Sequence, residues 1–151
     1  MPDALTVVLI RYPDQPEAAD LQLRVNGREL IDTAVQAGLP APDGLRDWVY
    51  PPAHLLRTDH FFEGPDRWED DQDSGAHPAF GEHDTALLAD GCGQPGCAAL
   101  LADIRVDASA IRWSKFRWYH ASRPDQPLPI GPFVFHPAQY ETALRNARQS
   151  L

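Results

Sequence analysis

The segment AALLADIRVDASAIRWSKFRW, residues 98–118, carries the pattern that decides the fold. In its first half, apolar side chains at 100, 102, 104 and 106 share one face and charged ones at 103, 105 and 107 share the other. This alternation is the two-residue period of a β-strand. Asp107 then begins a short turn, because its carboxylate can accept bonds from the backbone that follows. The segment therefore predicts two successive strands joined at DASA.

The second of these strands changes its inward phase. Its apolar side chains begin at Ile111 and Trp113 and continue at Phe116 and Trp118. A strand cannot change phase without an extra residue, because successive side chains point to opposite faces. We therefore predict a β-bulge at residues 114–115.

The rest of the chain supplies further strands and two helices. The run LTVVLIRY (5–12) predicts a buried strand, and the alternating LQLRV (21–25) predicts its partner. Helical spacing after Asn26-Gly27, with a stop at Gly38, favours a helix there over a second hairpin arm. Pro137 suits the start of a terminal amphipathic helix. The spaced apolar residues are Leu30, Ile31, Ala34 and Val35 in the first helix, and Tyr140, Leu144, Ala147 and Leu151 in the second.

These elements predict one α+β domain over residues 1–151. We expect a mostly antiparallel sheet of five or six strands, a helix after the NG turn, and a C-terminal helix packed on one face. No stretch is long and apolar enough to span a membrane, and the N-terminus lacks the basic region of a signal peptide. A cytoplasmic protein is therefore expected.

Negative charge is concentrated in the irregular segment 59–84. The chain carries a net charge of −9, and this segment holds nine acids and one base, which is −8. Such charge repels nucleic acid and would steer a basic protein toward the segment. The predicted partner-binding residues are Asp66, Trp68, Glu69, Asp70, Asp71 and Asp73. A cation site formed by Asp70, Asp71, Asp73 and Glu82 is a weaker interpretation, because a calcium-loop motif is absent.

Both cysteines lie in DGCGQPGC, residues 90–97. Pro95-Gly96 fits a type II turn, which would place Cys92 and Cys97 at the mouth of a hairpin. Three interpretations stay open: two small reduced thiols, a reversible disulfide, or a zinc site completed by His77 and His83. The first is preferred, because cysteine is most often a small buried residue and no basic residue adjoins either thiol to activate it. The histidine spacing, which is wider than in usual zinc sites, counts against zinc. We therefore expect no cofactor, with zinc as the alternative.

Other catalytic patterns are missing from the sequence. It contains no G-x-S-x-G, no phosphate-binding glycine loop and no H-E-x-x-H. Its six histidines are scattered and are interpreted as surface or loop residues. The aromatic group Trp113, Phe116, Trp118 and Tyr119 is interpreted as packing, with a binding face as the alternative. A homodimer formed through an exposed edge strand is a further hypothesis.

Three segments together resemble a family of small bacterial proteins with no established activity. They are CGQPGC, the strand leading to WSKF, and FVFHPAQYETAL, with VNGRELID near the N-terminus. The matching residues are Cys92, Gly93, Gly96, Cys97, Trp113, Ser114, Phe116, Phe133, Phe135, Gln139, Tyr140, Ala143 and Leu144. Many members carry a further cysteine where this chain has Asp90, a difference that counts against a metal site. The acidic segment lies outside the resemblance.

The sequence therefore favours a non-enzymatic binding protein whose acidic segment docks a basic partner. In size, acidity and build the chain is also similar to immunity proteins of bacterial toxin systems, which is an analogy. The alternative is a metal-binding or thiol-redox protein using Cys92 and Cys97.

Overall fold

The computed structural model of this protein describes residues 2–40, 48–62, 66–68, 80, 83–90 and 97–151, apart from the side chains at 16 and 17. The strands are β1 (Leu5–Tyr12), β2 (Gln15–Val25), β3 (Arg28–Glu29), β4 (Asp84–Ala89), β5 (Ala98–Val106), β6 (Ile111–His120), β7 (Arg123–Pro127) and β8 (Phe133–Phe135). The helices are α1 (Leu30–Gln36) and α2 (Pro137–Gln149), with a 3₁₀ helix at Ala53–Arg57.

The strands form two antiparallel sheets. One has the order β1-β2-β3, and the other has the order β4-β5-β6-β7, with β8 also paired to β6. Segment 49–52 links the two sheets, because Val49 pairs with Ala89 of β4 while Pro52 pairs with Asp20 of β2. The predicted α+β class, the antiparallel strands, the helix after the NG turn and the packed C-terminal helix are all confirmed.

The NG turn closes a short hairpin, and the second strand of that hairpin leads directly into α1. Asn26 and Gly27 have positive φ (55° and 82°), as a tight two-residue turn between antiparallel strands requires. Val25 therefore pairs with Arg28, and β3 lasts two residues before α1 begins at Leu30. The sequence favoured a helix here over a second hairpin arm, and the structure contains both. The second arm is only two residues long because the helix begins at Leu30.

The predicted bulge is confirmed on β6. Leu101 of β5 faces Arg117, whereas Asp103 faces Ser114, so two steps on β5 span three steps on β6. Lys115 takes up the extra residue with φ 53°. Trp113 and Phe116 are consequently both buried although they are three residues apart.

Helix α2 lies along the outer edge of β1. His136 caps the helix by accepting the Ala138 N–H at Nδ1 (3.1 Å), and Pro137 begins its first turn as predicted. Near the start of β1, Gln139 bonds both backbone groups of Leu5; near its end, the Arg11 guanidinium bonds the Ser150 carbonyl. The helix thereby covers a strand edge that would otherwise expose unpaired N–H and C=O groups.

The buried side of α2 follows the predicted apolar stripe, except at its end. Tyr140, Leu144 and Ala147 are buried. Leu151 lies beyond the last helical residue and is 40% exposed, so its place in the stripe was wrong. The buried residues of both sheets and both helices form one apolar cluster.

Strand β7 forms the outer edge of the larger sheet. All five of its residues are exposed, and two of them, Pro124 and Pro127, have no N–H to donate. Prolines of this kind protect an edge against pairing with another chain. The homodimer through an edge strand stays a prediction, and this edge is poorly suited to it.

Within the described part of the chain, neither helix is long and apolar enough to cross a membrane.

Candidate functional site

A buried side-chain cluster attaches residues 59–62 and 66–68 to the edge of β4. The ring of His60 is fully buried, its Nδ1 accepts the Arg67 N–H (3.0 Å), and its Nε2 lies 2.8 Å from the Ala86 carbonyl. A backbone N–H can only donate, so Nδ1 carries no proton and Nε2 donates to Ala86. His60 is therefore neutral in the folded protein.

Asp66 completes the attachment to the same residue of β4. Its Oδ2 accepts the Ala86 N–H (2.6 Å), and its Oδ1 accepts the Trp68 N–H (3.0 Å). His60 and Asp66 together therefore satisfy both backbone groups of Ala86, as a neighbouring strand would do. We call these two residues the β4 latch.

The β4 latch has the residue types of an acid–base pair, but its geometry fits a structural role. The His60 Nδ1 lies 3.9 Å from an Asp66 oxygen, and both ring nitrogens already bond the backbone. Burial lowers the pKa of His60, which outweighs the opposing effect of the nearby Asp66 carboxylate. Phe61 and Trp68 pack edge-on against the ring, with centroids at 4.9 and 6.3 Å.

This cluster also locates the predicted partner-binding residues. Asp66 and Trp68 are 4% and 7% exposed, so both side chains are buried against the scaffold and are not on the surface that a partner would contact. Asp59, in contrast, is exposed and pairs with Arg67 at 3.0 Å. The other predicted residues, Glu69, Asp70, Asp71 and Asp73, lie outside the described residues, as does Glu82.

The predicted cysteine–histidine site is only partly described. Cys97 is exposed and immediately precedes β5, while His83 is half-buried and immediately precedes β4. Strands β4 and β5 do pair as a hairpin, with Ala89 opposite Ala99. Cys92, His77 and the Pro95-Gly96 turn lie outside the described residues. Among the residues that are described, no three His, Cys, Asp or Glu side chains are placed to hold a metal ion. The zinc and thiol interpretations stay predictions.

Three of the residues that carry the family resemblance, Trp113, Phe135 and Tyr140, form a structural joint. The Tyr140 hydroxyl is fully buried; it accepts the Trp113 indole N–H (3.1 Å) and donates to the Phe61 carbonyl. Phe135 packs against both rings, with centroids 5.0 Å from Trp113 and 5.2 Å from Tyr140. These residues connect β6, β8 and α2 to the loop that bears the β4 latch. These three residues of the motif thus specify a junction in the core.

The aromatic group on β6 follows the packing interpretation. Trp113, Phe116 and Tyr119 are buried. Trp118 is half-buried, and the Arg123 guanidinium lies 5.6 Å from its ring centroid. This cation–π pair stabilises the end of the β6–β7 hairpin.

A second charged feature lies at the start of β4. Arg117 bonds both carboxylate oxygens of Asp84 and, through Nε, bonds Asp125 at 2.6 Å. The hydrogen bonds that Arg117 donates to Asp84 raise the pKa of its guanidinium, and they outweigh burial, which lowers it. Arg117 thereby joins β6 to Asp84 of β4 and to Asp125 of β7, and its bonds to Asp84 hold the chain at the end of the acidic segment.

A groove separates the 3₁₀ helix from α2. It encloses about 250 Å³, and apolar side chains from both elements and from the loop after the 3₁₀ helix form its floor. Arg145 and Arg148 of α2 also line it, together with Glu141. No sequence pattern predicts this groove, because its residues are spread over 55–62 and 141–148 and only tertiary packing brings them together.

No family model, no curated protein and no solved structure matches this chain. The family resemblance therefore depends on the motif residues alone, and any function must be inferred from this chain's own residues.

Proposed function

We propose that this chain is a non-enzymatic binding protein that docks a basic protein partner through its acidic segment 59–84. One observation carries the proposal: the stretch with the densest negative charge is attached to the scaffold at both ends. Asp66 bonds Ala86 on one side of the stretch, and Asp84 bonds Arg117 on the other. Between these two anchors, residues 69–82 contain five acids and no base.

Anchoring at β4 supports docking because it holds a concentrated charge at one place on the protein. A charge of this sign attracts a positive partner over roughly 8 Å at physiological salt and raises the association rate. Phosphate backbones would be repelled by the same charge, so we propose a protein partner and no nucleic acid. A cytoplasmic location fits this proposal, because Cys92 and Cys97 would stay reduced there.

The analogy with immunity proteins of bacterial toxin systems points the same way. Such a protein needs a rigid scaffold that displays charge complementary to a cationic target. The buried latch and the Asp84–Arg117 pair are what such a scaffold would use to position the segment. The analogy suggests a small cationic toxin as the class of partner.

The test is affinity capture with the purified protein, followed by identification of the retained protein and titration of the purified complex. We expect a basic partner whose affinity falls as salt rises from about 0.05 to 0.5 M. D70N/D71N should slow association about tenfold. The control D14N/D32N removes the same charge from exposed positions between β1 and β2 and on α1, and it should leave association nearly unchanged. Binding that resists salt, or equal effects of both variants, would contradict the proposal.

A further inference from the structure

The groove between the 3₁₀ helix and α2 combines an apolar floor with a cationic lip. Leu55, Leu56, Phe61 and Leu144 are buried and form the floor, whereas Arg145 and Arg148 are exposed and lie at the opening. A concave apolar site with a few convergent polar groups is the usual form of a small-molecule site. Phe61 belongs to the acidic segment 59–84, but no charged residue of that segment lines the groove, so the groove does not depend on the function proposed for the segment.

The two arginines are available to a ligand. Arg145 donates to the Thr142 hydroxyl at 3.0 Å, and among the described residues neither Arg145 nor Arg148 forms an ion pair. Glu141 also lines the groove, so two arginines and one glutamate leave its lining at +1. This local charge is opposite to the chain's net charge of −9.

The remaining polar group in the wall is already engaged. The Thr58 hydroxyl donates to the Leu55 carbonyl (2.7 Å) and accepts the His60 N–H (3.1 Å). The guanidinium groups are therefore the donors that a ligand would meet. A planar fork of N–H groups matches a carboxylate, which it can bind through two parallel hydrogen bonds.

We propose that this groove binds a small carboxylate with an apolar body. Its volume of about 250 Å³ lies between a cavity of roughly 150 Å³ that accepts benzene and the roughly 300–1,000 Å³ of drug-sized sites. A body of roughly six to ten carbons suits that space. The apolar part packs on the leucines and Phe61, and the carboxylate meets Arg145 and Arg148 at the opening.

The experiment uses the full chain and octanoate as the probe. Amide resonances are followed by two-dimensional NMR as octanoate, octan-1-ol or octylamine is added. We expect saturable shifts at residues 55–58 and 144–148 with octanoate, and affinity at least about tenfold weaker for the alcohol and the amine, since neither offers an anionic acceptor. No saturable shift with octanoate, or equal binding of octan-1-ol, overturns the proposal.

Matched variants separate the arginines from general electrostatics. R145Q/R148Q should weaken octanoate binding about tenfold or more, whereas R28Q/R112Q, which removes two exposed arginines on β3 and β6, should leave it unchanged. L56F, which fills the floor, should abolish binding, and cooperative thermal unfolding should show that the variant still folds. Equal weakening by both arginine pairs, or undiminished binding to folded L56F, overturns the proposal.

Discussion

Gln139 and Leu5 are joined by two hydrogen bonds. The side-chain amide of Gln139 accepts the Leu5 N–H at 3.0 Å and donates to the Leu5 carbonyl at 2.7 Å. A side chain of α2 thus bonds the outer edge of β1 as a neighbouring strand would. The β4 latch does the same for Ala86 with two different side chains, so both sheets have an edge residue satisfied by side chains.

Replacing Gln139 should therefore weaken the fold. Q139A leaves the Leu5 N–H and carbonyl without their partners, which should lower the free energy of unfolding by about 1–3 kcal/mol in urea titrations. Q149A, on an exposed position of the same helix, should change it by less than about 0.5 kcal/mol. Equal losses in the two variants would show that the paired amide contributes nothing beyond helix propensity.

Removing the hydroxyl oxygen of Tyr140 should lower the free energy of unfolding. Y140F leaves the Trp113 indole N–H and the Phe61 carbonyl without partners in the core, and we expect a loss of about 2–3 kcal/mol by chemical denaturation. Tyr12 is the matched control, because it is 43% exposed and its hydroxyl bonds Asp20 at 2.6 Å. Y12F should lose less than about 1 kcal/mol, since water can replace that bond; a similar loss in both variants would contradict the buried joint.

The β4 latch should make stability depend on pH. Burial lowers the pKa of His60 in the folded protein, so the unfolded chain binds a proton more readily. The stabilisation is fully present above the ordinary histidine value of about 6.5 and declines as pH falls below it, by up to about 1.4 kcal/mol per pH unit. Urea titrations between pH 7.5 and 5 measure the slope.

The variant H60Q isolates this effect, because glutamine offers a donor and an acceptor but does not titrate. Its slope between pH 7 and 5 should be smaller than that of the unaltered protein, and the difference belongs to His60. Equal slopes in the two proteins would mean that His60 of the unaltered protein binds a proton equally well in its folded and unfolded states.

The bulge on β6 should tolerate glycine better than its neighbours do. Lys115 has φ 53°, which an L residue adopts at a penalty of roughly 1–2 kcal/mol. K115G should therefore leave the free energy of unfolding unchanged or raise it by up to about 1 kcal/mol. R112G, at an exposed ordinary position on the same strand, should lower it by about 0.5–1 kcal/mol. A loss at position 115 as large as that at 112 would contradict the strain assigned to Lys115.

The alternation along 98–106, the phase change between Trp113 and Phe116 and the spacing of Tyr140 and Leu144 were all readable before the structure. Each is a local pattern set by where successive side chains point. The burial of His60 was not readable in this way. It depends on a hydrogen bond to Ala86, 26 residues away along the chain. The residues next to His60 in sequence do not indicate that its ring will meet the unpaired backbone groups of a strand edge.

The predicted site was affected by the same limit. Sequence charge identified the segment 59–84 but could not separate the two acids that anchor it, Asp66 and Asp84, from the other acids of the segment. The groove beside α2 left no sequence signal, because its arginines look like the solvated face of an amphipathic helix.

The sequence by itself determined the type of the main strands and helices, the bulge, the helix start at Pro137 and the location of the charge. These depend on side-chain periodicity and on backbone preferences that act over a few residues. The tertiary structure alone decided which polar side chains became buried and bonded to the backbone, because a buried donor or acceptor must find its partner wherever the packed chain places one. His60, Asp66 and Gln139 owe their roles to strand edges that exist only after the sheets have formed.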